Sequence, residues 1–215
     1  MVNDFKPAQI VAVSGPQGCG KGSMISEIAE IDFSEALNYF FIDDFKVSRA
    51  VQKEMGVSSL MDIYTDMSVM LQFQNKVLDF KKDSLYELQQ FVGRDFIITE
   101  RSFLDIAAYF ELWCEKQMHA GNITEDEFVD LTQNYAKKCY NHQKEFCDIN
   151  VIIPMMDCVE FENDQHRANK DDIDRFYELL MKHVVASGTR CFFVTAETIN
   201  DRAIQVINFL KGENV

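Results

Sequence analysis

Several things are scarce in this chain. Proline occurs three times in 215 residues, at positions 7, 16 and 154, and no low-complexity linker divides the sequence. One compact unit is therefore expected. No apolar run approaches the ~18 residues of a membrane span. The opening MVNDFKPAQI has no basic segment leading into a long apolar one, so a cytoplasmic protein with no membrane partner is expected. Basic residues are the scarcer charge, 21 Lys and Arg against 35 Asp and Glu, giving a net charge of −14. Broad binding to a nucleic-acid backbone needs a basic face, and this balance argues against it while leaving room for a small basic pocket. Paired cysteines are also missing. The six stand singly at 19, 114, 139, 147, 158 and 191, and the Cys139–His142–Cys147 spacing fits no zinc pattern. They read as reduced thiols used as small apolar residues.

Hydrophobic residues make up 47% of the chain and aromatics 12%, enough to bury a substantial core. Five short apolar segments read as strands: Ile10–Val13, Tyr39–Ile42, Phe96–Thr99, Ile149–Ile153 and Cys191–Val194. Most lack alternation, as strands covered on both faces do. Amphipathic stretches separate them: Ser23 to Ile31, Arg49 to Phe91 with breaks near Gly56 and Lys81–Ser84, Phe103–His119, Thr124–Phe146, Asp171–Ser187 and Ile199–Lys211. Thr124 and Glu127 form a capping-box pattern. The alternation predicts an α/β fold, a three-layer αβα arrangement around a five-stranded parallel sheet. Residues 46–92 would carry an acceptor-binding helical insert. The polar stretch 155–175 would form a lid.

The stretch Gly15-Pro16-Gln17-Gly18-Cys19-Gly20-Lys21-Gly22-Ser23 satisfies GxxxxGK and follows the first apolar strand. Backbone N–H groups of such a turn converge on phosphate oxygens, the following helix start adds partial positive charge, and the lysine reaches the terminal phosphates. In an open α/β sheet the ligand lies at the carboxyl ends of the strands. The residues there are Asp43, Asp44 and Arg49 after the second strand, Glu100-Arg101-Ser102 after the third, and Thr195-Ala196-Glu197 after the fifth. Phosphoryl transfer needs a phosphate cradle, Mg²⁺, cations on the moving group and a carboxylate to orient the acceptor. Glu100 would hold Mg²⁺, Arg101 would clamp the acceptor or the moving phosphoryl group, and Asp43 or Asp44 would orient an acceptor hydroxyl. Arg167 and Arg175 would close over the phosphates from the lid and exclude water.

The pattern GxxGxGKG[ST] resembles that of adenylate and cytidylate kinases, which also place glycine after the lysine. The resemblance makes Ser23 the Mg²⁺-side hydroxyl. Glu100-Arg101-Ser102 is similar to the triplet of deoxyribonucleoside kinases, which implies a Mg²⁺-binding glutamate and an acceptor-organising arginine. The longer string TERSFLDIAAY resembles phage and bacterial kinases related to the ribosylnicotinamide kinase domain of NadR, with their D/E-R-S-x-L-D…Y pattern. Those relatives carry an acidic-x-x-Arg element after strand two; Arg49 matches its arginine, but Lys46 stands at the acidic position. Their D-x-x-R lid element is matched by Asp164 and Arg167, with Arg175 further along.

The P-loop kinase resemblance implies an enzyme that uses ATP and Mg²⁺ to phosphorylate a small-molecule nucleotide, in the first instance a (deoxy)nucleoside monophosphate gripped by Arg49 and Arg101. A kinase acting on a hydroxyl of a nucleoside, or of a hydroxymethylated base in phage DNA, is the alternative. A non-catalytic ATP-binding regulator is a second one. Base specificity and oligomeric state, a homodimer included, stay open.

Overall fold

The computed structural model describes residues 8–31, 39–42, 45–57, 63, 66–89, 95–155 and 169–212. In chain order the elements are β1 (Gln9–Ser14), α1 (Lys21–Ile31), β2 (Tyr39–Ile42), α2 (Phe45–Glu54), α3 (Met67–Gln89), β3 (Phe96–Glu100), α4 (Phe103–His119), α5 (Glu125–Phe146), β4 (Ile149–Ile152), α6 (Lys170–Ser187), β5 (Cys191–Phe193) and α7 (Ile199–Lys211). The strands form one sheet in the order β2-β3-β1-β4-β5, and every pair is parallel. β1 is central because its residues are apolar on both faces. Ile10 and Ala12 enter one core, with α3, α4 and α5. Val11 and Val13 enter the other, with α1 and α7. A third cluster seats α4 and α6 over Ile152.

This order puts a topological switch point at β1, whose neighbours β3 and β4 are reached by chain running in opposite directions. The turn after β1 and the exit of β3 therefore share one edge: Val13 is in register with Glu100, and Arg101 N–H donates to Val13 C=O at 2.8 Å. Helix ends follow sequence chemistry. Thr124 and Glu127 complete a capping box on α5, and Ser102 with Asp105 completes another on α4.

One expected feature is overturned. Lys81–Ser84 does not break the second helical region, because α3 runs unbroken from Met67 to Gln89. Neither Gly nor Pro interrupts it. Leu78, Lys81 and Leu85 turn inward at helical spacing while Asp83 is exposed. The break at Gly56 is present, with φ of 67°. Of the aromatics in this region, Phe73 is buried, whereas Phe80 and Tyr86 are exposed; Phe91 lies outside the described residues.

α4, α5 and α6 meet at a buried polar chain. Glu111, 4% exposed, lies 3.0 Å from His183 Nε2 and 2.5 Å from Lys182 Nζ, and His183 Nδ1 is 2.6 Å from Tyr140 Oη. Burial would raise the Glu111 carboxyl, but His183 and Lys182 outweigh it and hold it below its ordinary value of 4.5. A depressed carboxylate contributes stability that is present above its unfolded-state pKa and lost as pH falls through the folded one. Lys182 is largely exposed, so its pairing adds little; the buried histidine is the partner that counts. Glu111→Gln should therefore cost about 2 kcal/mol near neutral pH, the scale of a buried hydrogen bond to a charged group. It should also flatten the decline in stability below about pH 5. Thermal unfolding across pH checks both. An unchanged acid limb would remove Glu111 from the acid sensitivity of this fold.

Among the described residues no helix is long and apolar enough to cross a membrane. Cys19, Cys114, Cys139, Cys147 and Cys191 are free thiols. Burial pushes Cys114 up to about 12, so its thiolate is scarce at neutral pH. Cys158 is outside the described residues.

Candidate active site

The turn between β1 and α1 is shaped by backbone that only glycine enters freely. Gly15, Gly18 and Gly20 have φ of 152°, 83° and 89°. A Cβ on Gly15 would stand 2.4 Å from the carbonyl oxygen of Ile153, so the loop lies directly on the end of β4. Gly22 differs: it is exposed, and a Cβ there would meet nothing within 4 Å. Ser23 is exposed beside it in the first turn of α1.

Lys21 is 4% exposed, and its ammonium folds back over the loop, donating to the carbonyls of Gly15 and Pro16 at 2.8 Å each. The cation thus sits inside the ring of glycine backbone. Cys19 Sγ lies 3.7 Å from the same Nζ. Burial raises the Cys19 thiol, with Lys21 opposing, so it serves as packing and not as a nucleophile.

Two buried groups fix this loop. Asp105, on α4, accepts from Ser102 N–H and Ser102 Oγ at 2.7 and 2.8 Å through one oxygen, and from Gly15 N–H at 3.3 Å through the other. Ser14 Oγ bridges Ser102 Oγ and Asn150 Oδ1 at 2.8 and 2.7 Å, tying the end of β1 to β4 and to the start of α4. On the opposite side Arg202 of α7, 1% exposed, donates to Cys19 C=O at 2.7 Å and to Ala196 C=O at 2.9 Å. Gln205 accepts from Thr195 and Ala196 N–H. The turn after β5 is therefore bound to the glycine-rich loop between β1 and α1.

Arg101 stands in the left-handed region, φ 64°, the one non-glycine residue with positive φ among those described. Its capped neighbour Ser102 and its N–H bond to Val13 hold it there. The guanidinium lies 4.9 Å over the Tyr109 ring. Burial works against its charge, but Tyr109, Asp105 and Glu100 outweigh that and hold it protonated. Its Nη1 is buried and donates to nothing among the described residues. Such an orphaned donor fits an anionic oxygen supplied from outside the chain.

The structure therefore brings together Gly15, Pro16, Gln17, Gly18, Cys19, Gly20, Lys21, Gly22, Ser23, Glu100 and Arg101 at one sheet edge. It does not bring in Arg175 on α6. That guanidinium is taken up by Glu115 at 2.9 and 2.5 Å and by Glu178 at 2.6 Å. A place over a phosphate would require those pairs to break. Arg49 is exposed on α2. Asp43, Asp44, Asp164 and Arg167 lie outside the described residues. No group of three or more metal-ligating side chains exists among the described residues. Ser23 and Glu100 are the residues here that could hold a magnesium ion.

Sequence reading assigned no role to Asp105, Arg202 or Lys81. Asp105 had a signal, standing in the same string as Glu100-Arg101-Ser102. The other two are single cations on apolar helix faces, which commonly snorkel to solvent.

No protein-family model matches the sequence, and no curated protein does. Solved structures do match, 236 chains in all, so the fold is widely shared and cannot by itself choose a substrate. A NadR protein in complex with NR matches at 16% identity with a TM-score of 0.63. That match covers 97% of this chain but 53% of the NadR protein, so the chain spans about half its length. A shikimate kinase from Acinetobacter baumannii in complex with shikimate matches at 10% identity with a TM-score of 0.52, covering 97% of this chain and 96% of that one. At these identities the likeness speaks for architecture: this chain has the P-loop kinase fold.

Proposed function

We propose that the protein is an ATP- and Mg²⁺-dependent phosphotransferase whose acceptor is a small nucleotide, a (deoxy)nucleoside monophosphate first. The observation that carries this reading is the pairing of a glycine cradle enclosing Lys21 with an adjacent, strained and unsatisfied Arg101. Bound ATP with its magnesium ion supplies the phosphoryl group. Lys21 exchanges its two loop carbonyls for phosphate oxygens, which accept more strongly because they are charged. The backbone N–H groups of Gly18 to Lys21 and the start of α1 orient that group. Arg101 Nη1 meets either the moving phosphoryl group or the acceptor's own phosphate. Ser23 and Glu100 hold the ion, and Asp43 or Asp44 orients the acceptor. Arg49 adds charge for the acceptor phosphate, and Arg167 acts from the lid.

A hydroxyl acceptor is the second reading. It is favoured by the likeness to a shikimate kinase solved with shikimate and by the Glu100-Arg101-Ser102 triplet. One panel separates the two: ATP-Mg²⁺ with each nucleoside, each monophosphate and DNA carrying hydroxymethylated bases, read by mass spectrometry. A monophosphate converted to diphosphate is expected. A phosphorylated nucleoside or base hydroxyl with no monophosphate turned over moves the assignment to the second reading. ATP binding without transfer to any acceptor supports a regulator instead.

A further inference from the structure

Lys81 lies in the middle of α3, the helix that runs from the acceptor side towards β3, and it is 2% exposed. Burying an ammonium is costly unless hydrogen bonds compensate it. What distinguishes this ammonium is where it points. Its Nζ lies 3.1 Å from Thr99 Oγ1 and 3.4 Å from the carbonyl oxygen of Glu100, and 5.9 Å over the ring of Phe103. Thr99 and Glu100 are the last two residues of β3, and Thr99 Oγ1 also donates to the Glu100 carbonyl at 3.3 Å. The peptide that begins with that carbonyl ends at Arg101, where the backbone enters the left-handed region. A non-glycine residue stays in that region only when its surroundings over-determine it. On the far side, Arg101 N–H is fixed by Val13 C=O. On the near side, the Glu100 carbonyl is fixed by Lys81.

We infer that Lys81 is a positioning residue: its ammonium holds the Glu100 carbonyl so that the strained Glu100–Arg101 peptide presents both side chains to the phosphoryl-transfer site. The inference deepens the kinase reading and rests on it for its kinetic consequence. It also couples the site to α3.

Lys81→Met tests this. The variant is expected to fold and to melt somewhat below the wild-type temperature, because Thr99 Oγ1 and the Glu100 carbonyl lose a donor. Hydrogen exchange in the peptide spanning 99–105 is expected to accelerate, with the Arg101 amide as the reporter. Turnover should fall about 100-fold, the scale of an ångström-level misplacement. The KM for ATP should change less than turnover, because the glycine cradle and Lys21 are untouched while Glu100 and Arg101 are displaced. A variant that melts lower yet keeps kcat and exchange protection shows a merely structural lysine and overturns the inference; wild-type kcat and exchange at unchanged stability do the same. If Lys81→Met does not fold, Lys81→Gln decides, since it keeps a polar side chain that ends one atom short of the Glu100 carbonyl and leaves the Thr99 Oγ1 bond to that carbonyl in place. Faster exchange at Arg101 with a roughly tenfold lower kcat supports the inference, and wild-type values for both refute it. Should the wild-type protein phosphorylate no acceptor, the kinase reading fails by itself, and exchange at Arg101 still decides the role of Lys81.

Discussion

Lys21→Met should reduce phosphoryl transfer by about 10²–10³-fold, the scale seen when one preorganised charge-stabilising donor is removed from an active site. Methionine keeps the length and apolar stem of lysine, so the packing of a side chain that is 4% exposed is largely preserved. The ammonium is what disappears. It holds Gly15 C=O and Pro16 C=O at 2.8 Å each, so its loss also leaves two loop acceptors short of a partner, at about 1–2 kcal/mol in total. Asp105 still holds Gly15 N–H and Arg202 still holds Cys19 C=O, so the loop keeps anchors on both sides. The expected result is a folded protein with a slightly lowered melting temperature, weakened ATP affinity and almost no turnover. Circular dichroism, calorimetric ATP titration and turnover measured on one preparation check the three together. Wild-type turnover in this variant would remove Lys21 from the catalytic machinery and, with it, the assignment of the glycine loop as the donor site. Lys21→Arg should not rescue, because a planar five-donor fork cannot occupy the position of a compact ammonium between two carbonyls.

The parts of this site that were legible in the sequence are those whose chemistry is local. Gly15, Gly18 and Gly20 announced the loop because its backbone needs positive φ, and that requirement is written into residue type at fixed spacing. Thr124 and Glu127 form a capping box three residues apart at the start of α5, readable in the same way. Alternating apolar runs and amphipathic stretches indicated strands buried between helices for the same reason. What stayed hidden depends on contacts between distant segments. Arg175 reads as a lid arginine beside the polar stretch before it, yet its partner Glu115 is 60 residues away on α4. Lys81 sits in a Lys-Lys-Asp-Ser run that looks like a solvated break. Only the approach of α3 to the end of β3 shows that its ammonium points inward, while Asp83 points out. Arg202 bonds to Cys19, 183 residues earlier, so no local pattern could place it against the glycine-rich loop.

Gly15→Ala and Gly22→Ala should move stability in opposite directions, though both are glycines of one loop. At Gly15 the backbone has φ of 152°, and the new Cβ would lie 2.4 Å from Ile153 C=O and 2.9 Å from Cys19 Sγ. The carbonyl cannot easily retreat, because Ile153 N–H is itself bonded to Ser14 C=O at 2.9 Å and β4 is clamped to β1 there. Strain of this kind costs about 3 kcal/mol once the clash is added to the unfavourable dihedral. For a chain of this size that lowers the melting temperature by roughly 6–12 °C. ATP binding should be lost with it, since relief of the clash must displace the loop. At Gly22 there is no positive φ, the residue lies in the first turn of α1, and a Cβ meets nothing within 4 Å. Alanine there is better helix material by up to about 1 kcal/mol, and the melting temperature should rise by a few degrees. The fold thus supplies no reason for glycine at position 22. If Gly22→Ala raises stability while weakening ATP affinity, the absent side chain serves close approach of the phosphate, and the resemblance to small-molecule kinase loops acquires a physical basis. If affinity is unchanged, that residue carries no information about the donor, and the assignment rests on Lys21, Glu100 and Arg101 alone.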